Sequence, residues 1–149
     1  MWTLAEMATA LGSPVPPELA EQRVSAIVTD TRNIVPGCLF IALKGPRFDG
    51  HAFVEQARAQ GAAAALVERR VDSAMPQLVC SDTRLGLGLL AKAWRRRFSL
   101  PLVAVTGNSG KTTVKEMTAA LLAPLGKVLA TTGNLNNDIG APLTLLRLS

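Results

Sequence analysis

The seven residues Gly107-Asn108-Ser109-Gly110-Lys111-Thr112-Thr113 limit the fold more than any other stretch of the chain. They lie between an apolar run with strand character over residues 102–106 and a stretch with helical spacing over residues 111–122. A strand feeding a helix through such a turn is the context of a phosphate-binding loop. Gly107 and Gly110 allow a tight bend and a close approach of backbone to phosphate. The amides of Asn108 to Thr113 can converge as a nest of donors, and the helix starting near Lys111 adds its positive dipole end. Lys111 supplies a mobile cation for the β- and γ-phosphates and is the candidate catalytic residue; the Thr112 hydroxyl is placed to ligate Mg2+. Gly107, Asn108, Ser109, Gly110, Lys111, Thr112 and Thr113 are thus the candidate ATP-binding residues. The common pattern G-x-x-x-x-G-K-[ST] begins with a glycine whose place is taken here by Val105, so the loop is the variant T-G-x-x-G-K-T-T. The plain alternative is a glycine-containing turn with a surface lysine.

Around this loop the pattern is α/β. Thr3 and Glu6 form a capping box for a helix ending at Gly12. Residues 24–28, 38–43, 62–67 and 77–79 read as strands, and residues 44–50 as a polar loop. Residues 51–60 have helical spacing, and Ser81 or Asp82 caps a helix to about Phe98 with the stripe Leu87, Leu90, Ala91, Trp94 and Phe98. Beyond the phosphate loop and its helix, residues 128–131 read as a strand, 133–138 as an Asn-rich loop and 139–146 as a helix. Strand, loop, helix and strand make a βαβ unit and a parallel sheet. Only 38 residues follow Lys111, fewer than a sheet covered on both faces requires, so the sequence predicts a piece of a longer protein, its second unit unfinished at Ser149.

Composition narrows the class. The 149 residues are 48% hydrophobic and 18% charged, which excludes a disordered chain. No apolar run reaches the roughly 20 residues of a membrane span, and the first residues carry no basic group of the secretory-signal kind. Cys38, Cys80 and the single histidine His51 are too few for a disulfide scaffold or a zinc centre. A cytoplasmic protein without membrane insertion is the expectation. The net charge of +5 fits nucleic acid, a membrane surface or anionic small molecules, but six aromatics and no Tyr offer bases little to stack on. Arg95-Arg96-Arg97 reads as a solvated helix face.

Residues 105–117, Val-Thr-Gly-Asn-Ser-Gly-Lys-Thr-Thr-Val-Lys-Glu-Met, resemble the ATP loop of the Mur ligases, the ATP-dependent amide-forming enzymes of peptidoglycan precursor synthesis. The Val-Lys-Glu-Met continuation and residues 133–146, Gly-Asn-Leu-Asn-Asn-Asp-Ile-Gly-Ala-Pro-Leu-Thr-Leu-Leu, are similar to the MurF type, the UDP-N-acetylmuramoyl-tripeptide:D-alanyl-D-alanine ligases. Asp30-Thr31-Arg32, Pro36-Gly37-Cys38-Leu39-Phe40 and Asp49-Gly50-His51-Ala52-Phe53 resemble the uridine-binding N-terminal domain shared by the MurE and MurF types.

The resemblance implies an N-terminal UDP-substrate-binding domain over residues 1–81 and, over 82–149, the first part of a P-loop parallel-sheet ATP-binding domain, truncated. It implies that Thr31, Arg32, Lys44, Gly45, Asp49, Gly50 and His51 line a UDP pocket, and that Asn134, Asn136 and Asn137 face phosphates or substrate. ATP and Mg2+ are the implied cofactors. UDP-N-acetylmuramoyl-tripeptide and D-alanyl-D-alanine are the implied partners, with no nucleic acid and a monomeric full-length enzyme. The implied reaction is amide synthesis through an acyl phosphate, of which this piece alone is expected to be incapable.

On the residues alone, other readings stay open. Arg32 fits a diphosphate fork or a surface arginine, His51 a pocket contact or a capping role, and the asparagines Asx turns. Lys115-Glu116 reads as a solvated helix pair. The competing functions are a MurE-type amino acid ligase, a non-catalytic P-loop nucleotide-binding module and a nucleic-acid binder.

Overall fold

The computed structural model describes residues 2–46, 48–133, 135 and 137–149. Its elements in chain order are β1 (Trp2–Thr3), α1 (Leu4–Leu11), β2 (Arg23–Val24), β3 (Ile27–Val28), β4 (Leu39–Ile41), β5 (Lys44–Gly45), β6 (Phe48–Asp49), α2 (Val54–Ala59), β7 (Ala64–Val67), β8 (Gln77–Val79), α3 (Thr83–Arg95), α4 (Lys111–Leu122) and α5 (Gly140–Leu145). Short 3-10 turns lie over Thr31–Asn33 and Gly50–Phe53.

Strands β3, β4, β7 and β8 form a parallel sheet in that order. Successive side chains on a strand point to opposite faces, and the core divides accordingly. Leu39 and Ile41 of β4, Ala64 and Leu66 of β7, and Leu78 of β8 share one cluster with Leu4 and Met7 of α1 and Leu87 and Leu90 of α3. Phe40, Ala65 and Val67 share the other with Val54 and Ala57 of α2. Helices therefore cover both faces, which is why β4 and β7 are apolar at every position.

The capping box of α1 is present: the Thr3 amide donates to Glu6 Oε2 (2.9 Å) and the Glu6 amide to Thr3 Oγ1 (3.3 Å). Asp82 caps α3, accepting from the amides of Arg84 (2.7 Å) and Leu85 (3.0 Å). Residues 24–28 differ from the single strand the sequence predicts. The chain changes partner there, pairing Arg23–Val24 with β1 and Ile27–Val28 with β4, and Ser25 bonds to the Pro36 carbonyl between them. Within the expected polar loop, Lys44–Gly45 and Phe48–Asp49 pair as two short antiparallel strands.

The arginine run also differs from expectation. Arg95 donates to the carbonyls of Phe98 (2.6 Å) and Leu100 (2.7 Å). Arg97 pairs with Glu6 and lies over the rings of Trp2 (5.7 Å) and Trp94 (5.2 Å). Two of the three guanidinium groups thus tie α3 to the N-terminus and to its own exit. Residues 102–106 and 128–131 carry no ladder. A strand exists only where a neighbour accepts and donates alongside it, and neither run has one among the described residues. Leu102, Val103 and Val128 are exposed, as are Met117 and Leu121 on α4.

Candidate functional site

Two regions carry the candidate residues. The first is a cleft of about 400 Å³ lined by Thr29, Asp30, Thr31, Arg32, Phe40, Phe48 and Phe53. It opens where the chain leaves the carboxyl end of β3, the side on which parallel sheets receive ligands. Asp30 caps the turn over Thr31–Asn33, accepting from the Arg32 amide (2.9 Å) and through both oxygens from the Arg32 guanidinium. The Arg32 guanidinium and amide hold the Asp30 carboxyl down at about 2. Arg32 is nonetheless 86% exposed, so its outer edge is presented at the mouth of the cleft. The Phe48 and Phe53 rings stack with centroids 5.6 Å apart and planes at 24°.

Of the residues expected in a UDP pocket, Thr31 and Arg32 line this cleft; Lys44, Gly45 and Asp49 lie on the hairpin that carries Phe48, and Gly50 and His51 are buried in the turn between Phe48 and Phe53. His51 is held by the fold. Its Nδ1 lies 2.6 Å from Asp49 Oδ1, and its Nε2 accepts from the Glu68 amide (2.9 Å). An acceptor Nε2 fixes the neutral Nδ1–H tautomer, so the ring donates to Asp49. Asp49 also accepts from the His51 amide (3.0 Å) and from Arg69 (2.9 Å). The Arg69 bond, then the two from His51, keep the Asp49 carboxyl well below the usual carboxylate range. This network pins the hairpin to the end of β7.

The second region is the bend before α4. Gly107 has φ 148° and Gly110 φ 75°, both in territory that favours glycine. Gly110 is the N-cap of α4, and the first intrahelical bond runs from the Val114 amide to its carbonyl (3.0 Å). The amides of Lys111, Thr112 and Thr113 precede that bond and are the helix's orphan donors. The Lys111 ammonium folds back over the bend, donating to the Gly107 carbonyl and, at 3.4 Å, to that of Asn108. The first turn holds no acidic residue. The bend is exposed, Ser109 and Thr112 included. Exposed orphan amides at a positive helix end beside a mobile ammonium suit a polyphosphate. The Thr112 hydroxyl is a hard oxygen donor suited to Mg2+, and among the described residues no group of three or more His, Cys, Asp or Glu offers an alternative metal site.

Asn137 lies in the turn before α5, its side-chain oxygen accepting from the amides of Ile139 (3.3 Å) and Gly140 (2.7 Å). Asn134 and Asn136 lie outside the described residues. Sequence reasoning included Phe40 and Phe53 in motifs likened to the uridine-binding domain but did not single them out as lining residues, and it missed Phe48 and Arg69. The one available signal was the pair of phenylalanines bracketing Asp49-Gly50-His51.

A four-stranded parallel sheet with a cleft at its carboxyl end, followed by a glycine-bounded bend at a helix start, defines an α/β protein. The model of the Mur ligase family catalytic domain matches residues 23–121, and that of the Mur ligase middle domain residues 105–149. The chain belongs to the Mur ligase family. It is 57% identical, over 87% of its length, to the UDP-N-acetylmuramoyl-tripeptide–D-alanyl-D-alanine ligase of Escherichia coli and covers 29% of that protein. A crystal structure of MurF from Acinetobacter baumannii is similar with a TM-score of 0.93 and 44% identity, over 99% of this chain and 33% of that one. The MurF ligase of Thermotoga maritima in complex with ADP is similar with a TM-score of 0.76 and 37% identity, over 81% of this chain and 28% of that one. The chain thus spans about a third of the length of these relatives.

Proposed function

We propose that the chain is the UDP-substrate- and ATP-binding portion of an ATP-dependent ligase of the MurF type. The reaction is the joining of D-alanyl-D-alanine to UDP-N-acetylmuramoyl-tripeptide. The observation that carries this reading is the bend at 107–110, bounded by two positive-φ glycines and closed by the Lys111 ammonium at the start of α4. The names of the relatives and the ADP complex of the Thermotoga protein support it.

In this reading the cleft takes the uridine end of the nucleotide-sugar peptide. The exposed edge of Arg32 offers a cationic fork to the diphosphate, and the Phe48–Phe53 stack offers an apolar wall to the base. Hairpin residues Lys44, Gly45 and Asp49 hold Phe48 in place, while Gly50 and His51 anchor the hairpin from below. The bend over 107–113 takes the ATP phosphates, and the Asn137 turn lies on the segment between α4 and α5.

The chemistry needs both ends. A substrate carboxylate is a poor electrophile, so its oxygen attacks the γ-phosphorus of ATP and ADP departs. The dipeptide amine then attacks the acyl phosphate carbonyl, phosphate leaves with the carbonyl–oxygen bond pair, and the nitrogen loses a proton. The Thr112 hydroxyl would help hold Mg2+, which would supply neutralisation of phosphate charge when bound. This chain's residues bind and orient: Lys111 leaves the Gly107 carbonyl for the β- and γ-phosphates, and the loop amides hold them in line. The division near residue 81 belongs to the same reading, although α3 just beyond it packs on the first sheet. A cytoplasmic location and a monomeric full-length enzyme belong to it as well.

Calorimetry tests the assignment. Mg-ATP and the UDP-sugar tripeptide are titrated separately into the wild-type chain and Lys111→Ala. The substitution is expected to abolish the ATP response and leave the UDP response intact; loss of both, or of neither, contradicts the site. Turnover is not expected of the chain alone, which spans 29% of the Escherichia coli relative.

A further inference from the structure

Helix α4, which opens at the glycine-bounded bend, has no buried residue, and Val114, Met117 and Leu121 form an exposed apolar stripe along it. Packing therefore does little to aim this helix, and polar ties do so instead. Lys111 donates to the carbonyls of Gly107 and Asn108, and Lys115, one turn further on, donates to the Thr131 carbonyl (2.5 Å). The sequence reads Lys115-Glu116 as a solvated pair. The two do pair (2.8 Å), but the Lys115 side chain is 18% exposed against 64% for Glu116. Among the described residues, the other side-chain bonds of α4, Lys115 to Glu116 and Thr118 to the Val114 carbonyl, stay within the helix.

Residues four apart share a helix face, so Lys111 and Lys115 lie on one side of α4 and the apolar stripe on another. Each lysine grips a carbonyl at the end of an apolar run: Gly107 follows residues 102–106, and Thr131 closes residues 128–131. A half-buried ammonium needs an acceptor, and a carbonyl outside any ladder needs a donor, so the Lys115 bond serves both groups. The two ties are not equivalent. In the phosphate-loop reading Lys111 leaves the Gly107 carbonyl for the phosphates. Lys115 is then the one side chain of α4, among the described residues, that bonds to another part of the chain.

We propose that Lys115 is a positioning residue for the nucleotide site: its bond to the Thr131 carbonyl holds the start of α4, with its orphan amides, in line while Lys111 engages phosphate. The proposal rests on the phosphate-loop reading above. Lys115 lies a turn inside the helix and acts through it.

The test compares the wild-type chain with Lys115→Met, which keeps the stem and removes the charge, Lys115→Arg, which restores a donor, and Glu116→Gln. Affinities for Mg-ATP and the UDP-sugar tripeptide are read by calorimetry, and amide hydrogen exchange is read across residues 111–122. Lys115→Met is expected to weaken Mg-ATP binding about tenfold, the loss of one bond from a charged donor. It is also expected to speed exchange of the α4 amides while UDP-sugar affinity and the denaturant midpoint stay unchanged. Lys115→Arg recovers most of both losses, and Glu116→Gln changes neither. Wild-type Mg-ATP affinity in Lys115→Met overturns the proposal, as does a loss that Lys115→Arg fails to recover. An equal loss in Glu116→Gln assigns the effect to the pair with Glu116 rather than to the Thr131 tie and overturns it too. An Mg-ATP response that survives Lys111→Ala refutes the phosphate-loop reading itself, and the proposal falls with it.

Discussion

His51 shows how a residue can brace the hairpin beside a cleft without lining the cleft. Its side chain is 1% exposed, and both ring nitrogens are spent on Asp49 and the Glu68 amide. Replacing it with leucine leaves the half-buried Glu68 amide without its acceptor, at a cost of about 1 kcal/mol. His51→Leu should lower the urea midpoint accordingly and weaken UDP-sugar binding, because the hairpin bearing Phe48 loses its anchor; unchanged affinity in a folded variant would place the cleft elsewhere. Gly50 is a steric counterpart. An added Cβ would lie 2.7 Å from the Leu43 carbonyl oxygen and 2.8 Å from Ala42 C, both in backbone at the end of β4. Gly50→Ala should destabilise by about 1–3 kcal/mol, read in the same melts. The bend at 107–110 and the start of α4 were legible in the sequence at this scale because each requirement is local: two glycines and a helix start. The Phe48–Phe53 stack was not, because it requires two rings to be brought together by a hairpin whose strands are two residues each.

At the scale of elements, legibility followed the same division between local and distant causes. Helix α1 lies between its capping box and Gly12, and α3 begins at Asp82, because a cap is a contact between residues two or three apart. Asp82→Ala should cost about 1 kcal/mol, seen as a lowered thermal midpoint, and Asp82→Ser should restore most of it. A melting curve identical to wild type would mean that packing of Leu87 and Leu90 alone sets the start of α3. Strand β8 was legible from its bounded apolar run, whereas residues 102–106 and 128–131 share the composition of strands and form none. Their side chains meet no neighbouring ladder among the described residues, and strand formation is a property of pairs. The Arg95–Arg97 run misled for a related reason. A charge run looks solvated until an aromatic pair and a carboxylate 91 residues away, here Glu6, are folded against it.

Across the whole molecule, several carboxylates draw their charged form from neighbours that only folding supplies. The Thr3 amide, with Arg97, lowers Glu6; Arg32 lowers Asp30 to about 2; Arg69 and His51 lower Asp49; Arg58 and Ser73 lower Glu55. In the unfolded chain these groups titrate near about 4. A folded-state pKa below the unfolded one means the unfolded chain binds more protons as pH falls. The stabilisation is therefore complete above the unfolded values and is lost as pH drops through the folded ones. The carboxylate contribution to the denaturant midpoint should be flat from about pH 7 to 5 and fall steadily from about pH 4 towards 2. Because these pairs lie at the surface, added salt should shrink the fall. Asp49→Asn removes the group with three folded-state donors and should flatten part of the acid limb while lowering the plateau. An acid limb equally steep in Asp49→Asn would assign the loss to other carboxylates and detach the hairpin network from the acid response.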